Sequence, residues 1–282
     1  MASQGAVEDR LDTGGGDRIS RADMASSSSI TPRPAVALNL LILGGTTEAS
    51  RLAALVAGRP DIAPVLSLAG RTREPAPIPI RVGGFGGVDG LMRYLEAERI
   101  EAVIDATHPF AARISANAAI ACARQGIPLA RLTRPAWSPE PGDRWQVVPD
   151  MPAAAAALGP APRRVFLTIG RQELDAFNAA PQHHYVVRSI DAPDGFTAPQ
   201  ASFIAARGPF ALADEEALMR AHAIEVLVTK NAGGAATAAK LVAARHLGLP
   251  VVMVARPAKP DVPTVHEPEE ALAWAASHRP AP

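Results

Sequence analysis

From Ala37 onward, short apolar runs alternate with longer stretches of mixed polarity. The runs cover residues 38–43, 62–68, 78–82, 103–106 and 128–132. Between them, apolar positions recur at helical spacing over about 46–57, 88–98 and 111–125. A short, continuous apolar run has no polar face to turn to water, so it reads as a strand covered on both sides. Strands of that kind alternating with amphipathic helices predict βαβ units around a parallel sheet. The alternation restarts at 165–168 and continues through 185–188, 202–205, 226–229 and 251–254.

The two stretches repeat one another. Ile100-Glu101-Ala102-Val103-Ile104-Asp105 is followed by a helical pattern, then Gly126-Ile127-Pro128, then Arg134-Pro135-Ala136. Ile224-Glu225-Val226-Leu227-Val228-Thr229 is followed in the same way by Gly248-Leu249-Pro250 and Arg256-Pro257-Ala258, with the same Gly-to-Arg spacing of eight. Each half closes on a Pro-led helix, after Val148-Pro149-Asp150 and after Glu267-Pro268-Glu269. The expectation is an α/β protein of two Rossmann-like, doubly wound parallel-sheet domains, 37–160 and 161–282, joined near Gly159-Pro160-Ala161-Pro162 and facing a central cleft. Residues 1–36, with a Gly14-Gly15-Gly16 run and four serines at 26–29, read as a disordered tail or a misplaced start with Met24 as the alternative. They contain no apolar core of a secretory signal.

Composition narrows the field. The 282 residues are 48% hydrophobic and 20% charged, enough for a large core. Lys+Arg equals Asp+Glu at 28 each, which argues against a chain built around nucleic acid or an anionic membrane. Lysine occurs only at Lys230, Lys240 and Lys259; every other side-chain cation except histidine is arginine, the better fork for carboxylate and phosphate. A polyanionic small ligand is therefore open. The single cysteine, Cys122, excludes an intramolecular disulfide and reads as a core residue of a helix. No apolar run approaches the roughly 18 residues of a membrane span, and a cytoplasmic protein is expected.

Chemistry collects where strands turn into helices. In Leu43-Gly44-Gly45-Thr46-Thr47-Glu48-Ala49, glycines open a helix whose first N–H groups suit an anion such as a dinucleotide pyrophosphate. The match to G-x-G-x-x-G/A is partial, because Thr46 stands at the second glycine; a plain tight turn is the other reading. Thr46 and Thr47 offer hydroxyls to phosphate or cap the helix. Glu48 suits the helix dipole better than a phosphate. The second run ends in Ser67-Leu68-Ala69-Gly70-Arg71-Thr72-Arg73, with no acid for a ribose 2′-hydroxyl. Ser67, Arg71, Thr72 and Arg73 suit a 2′-phosphate instead, with a solvated basic turn as the other reading, so NADP(H) is expected over NAD(H). Gly83-Gly84-Phe85-Gly86-Gly87 either lets Phe85 flank an adenine or is a turn with Phe85 packed down. Asp105-Ala106-Thr107-His108-Pro109-Phe110 places Thr107 and His108 beside the nicotinamide half of such a ligand, with His108 either a proton source or a structural residue.

The second half offers Thr229-Lys230-Asn231-Ala232-Gly233-Gly234, in which Lys230 and Asn231 suit an anion, and Thr168-Ile169-Gly170-Arg171, in which Arg171 is aimed at the same cleft. Arg207-Gly208-Pro209 adds a cation or simply starts a helix. There is no P-loop and no G-x-S-x-G elbow. His183-His184 is an adjacent pair whose rings point opposite ways on a strand, so no metal site is expected.

Gly44-Gly45-Thr46-Thr47-Glu48-Ala49, Ser67-Leu68-Ala69-Gly70-Arg71-Thr72, Asp105-Ala106-Thr107-His108-Pro109-Phe110-Ala111 and Thr229-Lys230-Asn231-Ala232-Gly233-Gly234, in that order, resemble the motifs of the precorrin-6A reductase family of cobalamin biosynthesis. The resemblance spans about 38–276. It implies NADPH on the first domain, bound by Gly44, Gly45, Thr46, Thr47, Ser67, Gly70, Arg71, Thr72, Gly84, Phe85 and Thr107. It implies a tetrapyrrole between the domains and hydride transfer that gives precorrin-6B. Arg113, Arg134, Arg171, Arg207, Lys230 and Asn231 are then expected to hold the acetate and propionate carboxylates of the macrocycle. The proton that follows the hydride comes from solvent, His108, Tyr185 or Lys230. The metal-free or cobalt form of the substrate and the oligomeric state stay open. Another NADP-dependent reductase, a nucleotide-sugar transferase and a nucleotide-binding sensor are the competing readings.

Overall fold

Leu38, Leu40, Leu41 and Ile42 have no exposed surface, although they point to opposite faces of one strand, β1 (Leu38–Leu43). Helices cover both faces. Leu40 and Ile42 pack with Leu52, Ala53 and Val56 of α1 (Thr47–Val56). Leu41 and Leu43 pack with Leu91 and Leu95 of α2 (Gly87–Ala97) and with Ala118, Ala121 and Cys122 of α3 (Ala112–Gln125). Cys122 is buried as expected. Each fully buried Leu or Ile side chain contributes about 1.5–3 kcal/mol of burial, so β1 anchors the first core.

The computed structural model describes residues 37–70, 76–189 and 195–279, with the side chains of Arg171 and Gln172 left aside. Around β1 lie β2 (Ile62–Leu68), β3 (Ile80–Val82), β4 (Ala102–Asp105) and β5 (Leu129–Leu132). The second half contributes β7 (Arg164–Thr168), β8 (His184–Ser189), β9 (Ala201–Ala205), β10 (Val226–Lys230) and β11 (Pro250–Val254), with α5 (Leu212–Ala221) and α6 (Ala239–His246). A 3₁₀ segment, Arg171–Ala179, stands where a first crossover helix would be. All of these strands fall within one or two residues of the apolar runs.

The strands that the apolar pattern does not reveal are β6 (Arg144–Val148) and β12 (Thr264–Val265). They also correct the expected domain boundary. The sheet orders are β12-β5-β4-β1-β2-β3 and β6-β11-β10-β7-β8-β9, every pair parallel. Each is the doubly wound order with its sixth strand supplied by the other half. β6 and α4 (Met151–Ala157) belong to the second sheet although they precede residue 160. β12 returns to the first sheet, and α7 (Pro268–Ser277) buries Ala271 and Ala275 against that sheet's core. Among the described residues no helix is long and apolar enough to cross a membrane.

Proline explains the exchange. A return to the same sheet needs a crossover, usually helical. The segment after β5 carries Pro135, Pro139 and Pro141, and the segment after β11 carries Pro257, Pro260 and Pro263. Proline at that density keeps a chain extended and blocks helix formation. Both segments therefore run straight to the neighbouring sheet.

Arginine from each repeat pins these crossovers. Arg134 Nε donates to the Ala232 carbonyl at 2.9 Å. Arg256 donates through Nε to the Asn231 carbonyl at 2.9 Å, and through its two Nη atoms to the Arg134 and Ala232 carbonyls at 3.0 Å each. Gly233, at φ +72°, lies so close that a Cβ there would stand 2.0 Å from the Pro135 carbonyl oxygen. Arg256→Met removes three hydrogen bonds and leaves the Asn231 and Arg134 carbonyls without their cation. We expect it to lower the unfolding free energy by about 2–4 kcal/mol, read by equilibrium urea unfolding. Arg51→Met removes only exposed ion pairs to Glu267 and Glu269 and should change it by less than about 0.5 kcal/mol. Equal losses in the two variants would refute the pinning role.

Candidate functional site

The carboxyl ends of β3, β2, β1 and β4 form one edge of the first sheet, and the expected nucleotide residues stand along it in that order. Gly44 follows β1, and a Cβ there would fall 2.6 Å from Leu66 Cδ1, so a larger residue would have to displace that side chain. Gly45 is exposed at φ +116° with open space above it. Thr46 caps α1: its hydroxyl accepts from the Ala49 N–H at 3.1 Å and donates to the Ala106 carbonyl at 2.8 Å. The capping reading of Thr46 therefore describes its hydroxyl, while Thr47 is exposed on the first turn. Gly70 and Gly84 are exposed at the ends of their strands. Arg71 and Thr72 lie outside the described residues.

Arg81 on β3 organises the outer half of this edge and was not anticipated. It donates to the Gly83 and Gly84 carbonyls and to the Ser67 hydroxyl, at 2.5, 2.9 and 3.3 Å. Its guanidinium carbon lies 3.7 Å from the centre of the Phe85 ring, which meets Tyr94 edge-on. Phe85 is thus packed between a cation and the body of the domain.

Opposite the end of β4, a cavity of about 510 Å³ opens over the carboxyl ends of the second sheet. His108, Phe110 and Arg134 approach it from the first half. Gly170, Glu173, Arg188, Arg207, Lys230 and Lys240 line it from the second. Three of its cations carry a carboxylate. Arg134 meets Glu48 at 2.7 Å, Arg188 meets Glu215 at 2.5 Å, and Lys230 donates to Glu173 across a short contact. Glu48 is held by Arg134 in the first turn of α1, consistent with its expected place at the helix dipole.

His108 does not fit the role of a stored proton. Its Nδ1 accepts from the Phe110 N–H at 3.2 Å, which leaves Nε2 as the protonated nitrogen of a neutral ring. Burial first, and then Lys230, Arg134, Lys259 and Arg256, push its pKa down to about 3. His108 is a hydrogen-bond donor at neutral pH. Tyr185 is also removed from the list of proton sources. Its hydroxyl donates to the Ala180 carbonyl at 2.8 Å inside the core, and burial raises its pKa.

Other expected ligands turn out to hold the protein together. Thr107 donates to buried Asp105 at 2.6 Å and receives Lys259 at 3.3 Å. Lys259 also donates to the His108 carbonyl at 3.2 Å, so the returning crossover fixes this loop. Asn231 accepts from the Trp137 N–H at 2.8 Å and donates to the Trp137 carbonyl at 2.9 Å. Its amide grips the crossover. Arg113 is exposed on α3 and does not line the cavity, whereas Arg134, Arg207 and Lys230 do. The side chain of Arg171 lies outside the described set. Lysine choice is the signal for Lys240 and Lys259, which the motifs do not reveal: with the expected Lys230 they stand in or beside this cleft, at 4%, 9% and 17% exposure.

Paired doubly wound sheets, a glycine-rich strand-to-helix edge and a cationic cleft define a two-domain Rossmann-like protein for an anionic ligand. The chain belongs to the precorrin-6x reductase family CbiJ/CobK, whose model matches residues 39–276. The precorrin-6A reductase of Rhodobacter capsulatus is 52% identical over 246 residues, covering 86% of this chain and 98% of that protein. A cobalt-precorrin-6A reductase of Priestia megaterium is 30% identical, over 77% of this chain and 90% of its own. A solved structure described as CobK precorrin-6A reductase superposes with a TM-score of 0.79 at 51% identity, covering 87% of this chain and 98% of that one.

The state of His108 is testable without substrate. The unfolded ring gains a proton below about pH 6.5, while the folded ring stays neutral until about pH 3. Stability linked to His108 is therefore lost as the pH falls through that window. NMR of the free protein should show His108 ring signals flat from pH 8 to 5. The stability difference between wild type and His108→Asn should narrow by about 1–2 kcal/mol between pH 7 and 5. A His108 midpoint near 6.5 would refute the neutral assignment.

Proposed function

We propose that the chain reduces precorrin-6A to precorrin-6B with NADPH, in the cleft between its two sheets. The observation that carries the reading is that cleft: cations face a cavity sized for a large ligand, next to the glycine edge of the first sheet. A polycarboxylate tetrapyrrole is the anionic ligand that family membership supplies. The metal-free form is the proposed substrate, because the relative bearing that name is 52% identical and the one named for the cobalt form is 30% identical.

The first edge fits NADPH. Gly45 leaves open space at the start of α1, where free N–H groups favour a pyrophosphate. No carboxylate stands at the described end of β2 to claim a ribose 2′-hydroxyl, and Ser67 is placed there by Arg81. When bound, NADPH supplies the hydride. Gly44, Gly45 and the first turn of α1 are assigned to the pyrophosphate. Ser67, Gly70, Arg71 and Thr72 are assigned to the 2′-phosphate, with Gly84 at the adenosine and Phe85 beneath it as support for Arg81.

The remaining work falls to the cleft. Arg134, Arg207 and Lys230 hold carboxylates by charge-assisted bonds. His108 donates from neutral Nε2. Lys230, whose ammonium rests on Glu173 and lies 5.2 Å from the Phe110 ring, is the proposed proton source for the carbon beside the reduced one. Holding the reacting carbons about 3–3.5 Å apart is the entropic part of the catalysis.

The test is an anaerobic reaction of purified protein with NADPH and precorrin-6A, with NADH and cobalt-precorrin-6A in parallel. NADPH absorbance and the pigment spectrum should change together. Binding of NADPH without reduction of either acceptor would overturn the reading. Arg71→Ala should raise KM for NADPH about tenfold or more and leave KM for NADH unchanged; equal effects would remove the 2′-phosphate assignment.

A further inference from the structure

Arg81 is a cation at the glycine edge of the first sheet, far from the motifs that suggest a ligand. It stands on β3 beside Ser67 of β2, its register partner in the parallel ladder. Its guanidinium is fixed from two directions. The guanidinium carbon lies 3.7 Å from the Phe85 ring centre and 5.1 Å from that of Tyr94. The N–H groups reach three neutral acceptors: Nη1 donates to the Ser67 hydroxyl and the Gly83 carbonyl, and Nη2 to the Gly84 carbonyl. Among the described residues no carboxylate forms an ion pair with it, so none cancels its charge.

Ser67 is 5% exposed. Its hydroxyl oxygen accepts from Arg81 at 3.3 Å, and among the described residues its own proton has no acceptor. Its carbonyl accepts from the Gly44 N–H at 2.8 Å, and the Leu68 carbonyl accepts from the Gly83 N–H at 2.9 Å. The ends of β1, β2 and β3 are thus tied together around one serine. A hydroxyl that accepts from a guanidinium keeps its single proton to donate. The cation also polarises that O–H, and a polarised donor gains most from an ionised acceptor. A nearly buried donor with no acceptor of its own, held on an uncancelled cation, is suited to an anion from outside the chain.

We propose that Arg81 is a positioning residue that selects the phosphorylated dinucleotide, by holding Ser67 as a polarised donor to the phosphate monoester on the adenosine ribose. The inference rests on the NADPH reading above and adds a relay to it. Arg81 acts through Ser67 and not as a loose counter-charge, because Nη1 spends both of its protons on Ser67 and Gly83. Lysine cannot take this place: it has no plane to stack on Phe85 and no rigid fork to span the acceptors. A dinucleotide without the monoester offers Ser67 only a neutral hydroxyl, so the relay contributes little to its binding.

The experiment is a binding cycle on the full chain, without tetrapyrrole and at fixed ionic strength. Dissociation constants for NADPH and NADH are measured by calorimetry for wild type, Arg81→Met, Ser67→Ala, the double variant and Arg81→Lys. Arg81→Met should weaken NADPH about 10–30-fold and NADH by less than about threefold. Ser67→Ala should weaken NADPH to a similar extent. The double variant should be within about threefold of either single one, because both remove the same relay. Arg81→Lys should stay within about threefold of Arg81→Met. Equal losses of NADPH and NADH would make Arg81 a brace of the glycine turn and overturn the proposal. Losses that multiply in the double variant, or full rescue by Arg81→Lys, would overturn it as well. If Arg81→Met does not fold, Arg81→Lys takes its place in the cycle, and a wild-type preference for NADPH there refutes the relay. A wild type that binds NADPH no more tightly than NADH overturns the cofactor reading and the relay together, whereas a preference that survives in Arg81→Met overturns the relay alone.

Discussion

The two sheets are locked by an exchange of their sixth strands, and Arg256 is the side chain on which that exchange turns. It reaches the Asn231 and Ala232 carbonyls at the end of β10 and the Arg134 carbonyl of the opposite crossover. One guanidinium thus ties both passages of the chain to the loop that carries Lys230. Its counterpart in the repeat, Arg134, holds the same Ala232 carbonyl and reaches across to Glu48 in the first turn of α1. The cleft therefore has a fixed floor of backbone and guanidinium, with side chains for chemistry set around it.

This arrangement explains why so many polar residues near the cleft are occupied. Exchanged strands send irregular, proline-rich chain past the carboxyl ends of both sheets. That chain lacks a ladder of its own, so its polar groups need partners from elsewhere. Asn231 supplies them to Trp137 and Arg256 to the Arg134 carbonyl, while Arg134, Arg256 and Lys259 of the crossovers bond in turn to the loops they pass. A polar side chain at a strand end in such a fold is as readily a brace for the crossover as a ligand.

The legible and illegible parts of the sequence divide along the same line. Strands covered on both faces announce themselves, which is why β1, β2, β4, β7 and β10 coincide with apolar runs. β6 does not, because it is an edge strand with exposed Arg144, Gln146 and Val147, and β12 has two residues. These are the exchanged strands, so the boundary near 160 followed the chain and missed the sheets. The repeat itself was readable, and it carried the meaning of Arg134-Pro135-Ala136 and Arg256-Pro257-Ala258 without showing that the two would meet. Side-chain roles were read less well. Thr107 and Asn231 read as ligands from their loops, and nothing in the sequence signals that Asp105 and Trp137 engage them. Arg81 and Arg188 sit within strands, where a motif search has no reason to look.

The chain's use of lysine is the strongest trace of electrostatics in the sequence. With 28 Lys+Arg residues and only three lysines, a random scatter would leave most lysines on the surface. All three are instead largely buried around one cavity. Arginine holds its charge under any burial, and here it serves where a permanent cation is needed, as in the crossover pins. Lysine can yield its proton when desolvated. Burial lowers the pKa of Lys240 and of Lys259, so these two hold their protons less firmly than arginine would in the same place. His108 feels the same surroundings: burial first, and then the cations of the cleft, disfavour its proton. The empty cleft is thus balanced by Glu48, Glu215 and Glu173 on Arg134, Arg188 and Lys230, and by burial that disfavours the proton of Lys240.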